Sequence, residues 1–358
     1  MSLNIALYNA ISGLQLNQRS LDVIAQNVAN VNTEGYSRKI VSQESVILDG
    51  TGSGVRIADV TRKINEFMLK DMRSAASQLG SSEIQEDYYG RMQDLFGSLG
   101  SDSSLSTLMA ELASRLQALA TAPEDVALQT EVGNQSNLLA ERIRTTAVEI
   151  QSLRLQADLE IQTAVTEINA DLNQILELNL RIAENMALGH PVGDLQDQRD
   201  IAISRVSEQI GIEYFTRSTG EVVLFTSNGR SLVDRSVTPL SHTPATAFSA
   251  TLYYDGSGTS IDGIDVGTLD ITTEITTGRI GGLIEMRDEA LPNLYSQIEE
   301  LTAALHDEIN RLHNQGTAHP GLATMTGTRS IAAADTPVWT GNVRVAVLDT
   351  AGDFVEFQ

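Results

Sequence analysis

The chain has 358 residues, 41% of them apolar, and its 24 basic and 47 acidic side chains leave a formal charge of −23. A chain this acidic lacks the electrostatic footprint of a nucleic-acid binder and is repelled by anionic membrane surfaces. Cysteine is absent, which excludes disulfides and thiolate-held metal centres; one tryptophan, Trp339, and 4% aromatics argue against a large aromatic-lined ligand pocket.

Charge is unevenly placed. Residues 1–73 carry +1 and all three lysines (Lys39, Lys63, Lys70), so the rest carries −24. The first basic residue is Arg19, so no positive leader precedes an apolar run, and no stretch is apolar enough to span a bilayer. Neither membrane insertion nor a cleaved signal is expected.

At the N-terminus, Leu3, Leu7, Ala10, Leu14, Leu21, Ile24, Val28 and Val31 recur in alternating steps of four and three, with Asn17 the polar residue on the stripe. Four such heptads predict a coiled-coil seam, and one polar seam position sets its register. Residues 1–35 are expected to be disordered or loosely held alone and to order against partner helices, because burying one narrow stripe does not offset the entropy of ordering the segment. Asn32-Thr-Glu-Gly35 ends the stripe, with Gly35 as a helix cap or turn. Residues 36–61 read as an extended segment or long hairpin around Gly50, Gly52 and Gly54.

Helical periodicity resumes near residue 63 and runs in pieces to Leu119. Thr121-Ala-Pro123-Glu124 has the spacing of a helix start. A long heptad stripe follows through Ile143, Ala147, Ile150, Ala157, Ile161, Ala164 and Ile168, interrupted by Arg154; Leu172, Ile175, Ile182 and Met186 carry it on to Gly189-His190-Pro191. A shorter helix is predicted over 195–210, with Asp194 as N-cap and Gly211 as stop. Residues 212–278 read as strands with an Asn228-Gly229 turn. Helix returns over 282–314 with a kink at Pro292, and residues 317–358 turn β-like again through Val343, Val345 and Val347.

The fold class is therefore mainly α with β outer parts: a long coiled-coil-like helical rod plus small β-rich domains. The expected organisation is an assembly helix (1–35), a helical rod domain (36–211 and 279–316, with 36–61 extended), a β-rich insertion (212–278) and the start of a further β-rich outer domain (317–358). The sequence stops at Phe357-Gln358 without an evident cap, as if cut short.

Chemistry is poorly supported. His306, His313 and His319 lie close in sequence, but no His-Glu-x-x-His accompanies them. The loop from Asp255 has Ser260 and Val266 where a calcium loop needs Gly and Glu. Gly50-Thr-Gly52-Ser-Gly54 is not followed by Gly-Lys-Ser/Thr, and no Gly-x-Ser-x-Gly elbow occurs. No catalytic, metal or cofactor site is assigned and an enzyme is not expected.

Three blocks carry a family resemblance. Ala25-Gln-Asn27-Val-Ala-Asn30-Val-Asn32-Thr-Glu-Gly35-Tyr36-Ser-Arg38 resembles the signature of bacterial flagellar axial proteins, with Glu34 where rod and hook members usually carry Pro. Gly193-Asp-Leu-Gln-Asp197-Gln-Arg199-Asp200 with Val206–Gly211, and Gly278-Arg-Ile-Gly281-Gly282-Leu-Ile-Glu-Met-Arg287-Asp288 leading to Asn310–Gly316, are similar to blocks of the FlgK family, the hook–filament junction type of hook-associated protein.

The resemblance implies a structural subunit of the flagellum, extracellular and exported without signal cleavage, that assembles into a ring or tube through terminal helices. Its implied partners are further copies of itself, hook protein, the filament-side hook-associated protein, the flagellar export apparatus and a dedicated export chaperone. It gives the seam Leu3–Val31 the role of assembly interface, and Asn27, Asn30, Asn32, Gly35, Tyr36 and Arg38 that of the turn between inner and outer layers. The family also ends in a C-terminal helix that pairs with the N-terminal one; none is found here, so this chain alone is expected to stay monomeric. The alternatives are a filament-side adaptor or hook-type protein and, from other classes, an adhesin or hydrolase carried on a helical rod.

Overall fold

A computed structural model describes residues 3–48, 51–97, 101, 104–256, 261–315, 346–348 and 354–357. In chain order, α1 (Leu3–Ala29) is followed by β1 (Lys39–Leu48), β2 (Thr51–Arg62), α2 (Glu66–Leu95), α3 (Leu105–Thr121), α4 (Val126–Ala187) and α5 (Gly193–Gln209). Short strands come next: β3 (Ile212–Thr216), β4 (Val222–Thr226), β5 (Ser231–Val233), β6 (Leu240–Ser241), β7 (Asp265–Val266) and β8 (Leu269–Asp270). A helical tail closes the order, with α6 (Gly278–Glu285), a π-turn (Met286–Ala290) and α7 (Leu291–Gln315), then β9 (Ala346–Leu348) and β10 (Phe354–Phe357). Most of the sequence-predicted strand region 317–345, including Trp339 and Val343, lies outside the described residues, as do His319 and the loop 257–260.

The chain forms two compact units, Met1–Met92 with Gln151–Leu291, and Gln93–Ile150 with Pro292–Gln358. The mainly helical class with small antiparallel sheets is as the periodicity predicts. β1 and β2 form a long hairpin paired from Lys39↔Arg62 to Leu48↔Thr51, with register shifts at Ser42/Gln43 and Ser45/Ile47; bulges of this kind bend and twist a ribbon. β3-β4-β5 and β6-β7-β8 are separate three-stranded antiparallel sheets.

At 62 residues, α4 is about 90 Å long. In the first unit its heptad stripe is the core: Ala157, Ile161, Ile168, Leu172, Ile175 and Ile182 are fully buried. Two strands are pinned to it by the same device. The side-chain amide of Asn179 donates to Val222 O (2.7 Å) and accepts from Val222 N (3.0 Å), and Asn169 does the same at Leu240 (2.8 and 2.9 Å). A helix-borne asparagine thus stands in for a neighbouring strand, satisfying both polar groups of one residue at a sheet edge.

Two predicted helix starts are corrected. α4 begins at Val126, where Asp125 Oδ1 accepts from Ala127 N at 2.8 Å. Thr121 instead closes α3, its hydroxyl donating back to Ala118 O at 2.7 Å. Asp194 is not the cap of α5 but lies in its first turn, where it pairs with Lys39.

Arg154, the break in the buried stripe, and Pro292 explain each other. In the π-turn Leu291 N donates to Met286 O. The next such bond would run to Arg287 O, but Pro292 has no N–H to give. Arg154 Nε donates to that carbonyl instead at 3.0 Å, Nη2 takes Leu252 O at 2.8 Å, and the guanidinium lies 4.7 Å over Phe248. The helix passes Pro292 with a π-turn, and a buried cation satisfies the carbonyl left over.

Candidate functional site

α1 turns its apolar stripe outward. Leu7, Leu14, Leu21, Ile24, Val28 and Val31 are between 56% and 74% exposed, and Ala10 and Asn17 are exposed as well; the side chain of Leu3 lies outside what is described. Tyr8 and Ile11 widen the apolar surface. The face that packs on the hairpin is the other one, with Leu16 and Val23 buried and Ser12 and Asn27 partly so. Ser12 Oγ accepts from Val55 N at 3.3 Å. A soluble domain normally buries a helix's apolar face; here a narrow, partly polar face is buried and the broad apolar one is left to solvent.

The turn after α1 is built from its asparagines. Asn27 is a third amide clamp: Nδ2 donates to Lys39 O and Oδ1 accepts from Lys39 N, both at 2.9 Å, and Oδ1 also accepts from the Tyr36 hydroxyl at 3.0 Å. Asn30 caps the helix end, donating to Gln26 O at 3.0 Å and accepting from Thr33 Oγ1 at 3.2 Å. Gly35 has φ +74°, and a Cβ there would sit 2.4 Å from Ile201 Cδ1; only glycine meets both conditions without strain. Asn32 and Arg38 are exposed, and Arg38 contributes its carbonyl to Lys63 N at 2.8 Å.

Beside this turn lies a charged network that the sequence reading did not identify. Asp194, Asp197 and Asp200 recur every third residue on α5 and face Lys39, Arg62 and Arg73. Asp197 accepts from Ser37 Oγ (2.5 Å) and Arg62 Nη1 (3.0 Å) and lies 3.4 Å from Lys39 Nζ. Asp200 accepts from Arg62 Nη1 (2.6 Å) and Arg73 Nη2 (3.0 Å). Lys39 is 5% exposed, with its ammonium 4.2 Å from the centre of the Tyr36 ring.

Burial alone would pull the Lys39 ammonium down, but the hydrogen bond and charge of Asp194, with the charge of Asp197, outweigh it and hold its pKa above the ordinary value. Arg199, one residue from Asp200, faces the other way, onto Asn179 Oδ1 (2.9 Å) and Gly220 O (2.6 Å). Burial pushes it down to about 10, helped by Arg62 and Arg73 against Asp200, and it stays charged at neutral pH. The network ties the roots of the hairpin, α2 and α5 to the turn. Its sequence signal was the Asp-x-x-Asp-x-x-Asp spacing, which puts three carboxylates along one side of a helix.

Among the described residues no group of three or more His, Asp or Glu is disposed to hold a metal, and no helix is long and apolar enough to cross a membrane. His306 is exposed beside Asp307.

Comparison with known proteins gives the site its context. A family model for the flagellar hook-associated protein FlgK helical domain matches residues 89–327, and one for flagella basal body rod protein matches residues 7–36. Flagellar hook-associated protein 1 of Escherichia coli strain K12 is 27% identical over 319 residues, covering 86% of this chain and 57% of its own. The Bacillus subtilis strain 168 protein of the same name is 22% identical over 351 residues, 88% of this chain and 68% of its own. This chain thus spans little more than half the length of its enterobacterial relatives. The solved flagellar hook junction protein FlgK from Burkholderia pseudomallei aligns at a TM-score of 0.47 and 24% identity, over 60% of this chain and 38% of that one. With one family model covering well over half of its residues, the chain belongs to the FlgK family of flagellar hook-associated proteins, structural components of the flagellum rather than enzymes.

Proposed function

We propose that the chain is a structural subunit of the junction between flagellar hook and filament, and that it joins a ring or tube through the exposed face of α1. One observation carries this reading. α1 is already docked on its own hairpin through Leu16 and Val23, so its apolar stripe remains free for other helices. Association of such stripes buries side chains that the folded unit leaves wet, with Asn17 fixing the register. The Asn27 clamp and the Asp194–Asp197–Asp200 network hold the base of this helix at a defined angle, as a joint between layers requires. The relatives named as hook-associated proteins support hook protein, a filament-side hook-associated protein and further copies of the chain as partners. Passage through the flagellar export apparatus with a dedicated chaperone, without signal cleavage, and an extracellular location complete the reading.

The test uses the full-length protein in a motile host. Leu14→Glu or Ile24→Glu should abolish incorporation, read by immunogold electron microscopy, and leave the circular dichroism spectrum and melting temperature of the purified chain unchanged. Label from wild type should fall in a narrow band between hook and filament. Normal incorporation of either variant overturns the interface, and label spread along hook or filament overturns the junction assignment.

A further inference from the structure

We infer that His242 is the ionisable pin of a pH-dependent latch that holds the β6–β8 segment against α4. The imidazole is buried between two groups that only accept. Nδ1 lies 3.0 Å from Gly263 O, and Nε2 lies 3.1 Å from Asp158 Oδ1, somewhat off the line of a good hydrogen bond, so that contact is chiefly electrostatic. A carbonyl cannot donate. Asp158 is an ionised carboxylate, bound by Arg287 Nη1 (2.6 Å) and by Ala245 N (2.7 Å).

A neutral imidazole has one N–H, so one ring nitrogen would turn its lone pair onto an acceptor; only the imidazolium suits both sides. The surrounding charges agree. Arg287 is shared by Asp158 and Asp288, the latter in a two-pronged contact at 2.8 and 2.9 Å, so Asp158 does not have that cation to itself. Arg154, also from α4, is occupied by the carbonyls of Arg287 and Leu252. From the loop side Asp262 binds Thr243 N at 2.9 Å, and Asp270 is engaged by Thr272 and Tyr254.

The groups that act on His242 are therefore Asp158, which favours its charged form, and Arg287, which opposes it. Burial lowers the His242 pKa, but the contacts with Asp158 and Gly263 outweigh it and the net direction is up from 6.5. A group with a raised folded-state pKa stabilises fully below its unfolded value and loses that contribution as pH rises through the folded one. The latch is closed in mildly acidic surroundings and loosens as they become alkaline. It holds the segment that Asn169 pins at Leu240, with its second grip at Ala245 N on Asp158.

The experiment is a titration of the histidine ring nitrogens by NMR in the whole selectively labelled chain, with hydrogen exchange of Ala245, Ile264 and Ile271 followed over the same pH range and corrected for intrinsic exchange rates. His242 should titrate above 6.5 with both ring nitrogens protonated below its midpoint. Protection of the three amides should fall with rising pH, by tenfold for each unit by which that midpoint exceeds 6.5. In His242→Gln the pH dependence should vanish. A midpoint at or below 6.5, or flat protection in wild type, overturns the latch whether or not the variant folds, and so does a pH dependence that survives in the variant.

Discussion

Replacing Asn27 by alanine tests whether the turn after α1 is a built joint or a passive linker. The substitution removes three hydrogen bonds, of 2.9, 2.9 and 3.0 Å, that link α1 to Lys39 and Tyr36. Each is worth about 0.5–1.5 kcal/mol net, so their loss should total about 1.5–4.5 kcal/mol. That corresponds to a roughly 10- to 2,000-fold larger local opening constant. The opening is local, so the assay is amide hydrogen exchange at Lys39 and Asn30 under conditions that report opening equilibria. Asn27→Asp keeps the acceptor for Lys39 N and Tyr36 but sets a carboxylate oxygen against Lys39 O, so its cost should be about 1–3 kcal/mol. Asn32→Ala, in the same stretch but exposed, should stay within about 0.5 kcal/mol. If Asn27→Ala also stays within that range, the clamp is not what holds α1 to the hairpin.

Gly35→Ala should destabilise the turn by about 1–3 kcal/mol, since it combines left-handed backbone with a Cβ 2.4 Å from Ile201; adding Ile201→Ala should relieve the clash and leave the backbone cost, measured by chemical denaturation of single and double variants. Val23→Ala, at a buried position, should cost about 1–3 kcal/mol, whereas Leu14→Ala, 68% exposed, should cost less than about 0.5, and equal losses in denaturation would show that the packed face has been misidentified. The stability difference between wild type and Lys39→Gln should stay constant between pH 6 and 9 and narrow only as pH rises past 10.5, because the folded-state pKa lies above that value; thermal melts across that range measure it. Asp158→Ala leaves Arg287 buried without one of its two carboxylates and should destabilise the first unit by about 3–5 kcal/mol in the same melts.

Two stripes of the same period show what the sequence can and cannot tell. The one in α4 packs as core from Ile150 to Ile182, and the one in α1 faces solvent. A seven-residue repeat records that a helix face suits burial, not whether the covering partner belongs to the same chain. The cue in α1 was the opposite face, where small Ser12 and amide-bearing Asn27 let a hairpin come close. The hairpin was legible as one of two readings of 36–61, beside a plain extended segment, because glycines mark a turn without fixing the pairing. The asparagine clamps at Lys39, Val222 and Leu240 were not, because their partners lie 12, 43 and 71 residues away and one asparagine looks like another in a string. The same distance hid the Asp194–Asp197–Asp200 network, whose cations come from residues 39, 62 and 73.

The link from Pro292 through Arg287 O to Arg154 bears on how these positions change over evolutionary time. Arg154 answers a carbonyl that lacks a donor because residue 292 is proline. With another residue there, the backbone could supply its own donor, and a guanidinium in an apolar stripe would lose one of the acceptors that hold it there. The two sites are thus epistatic: an apolar replacement of Arg154 should cost more beside Pro292 than without it, the remaining cost being the donor lost to Leu252 O. Loss of the proline first therefore lowers the cost of change at residue 154, and the reverse order meets the full cost.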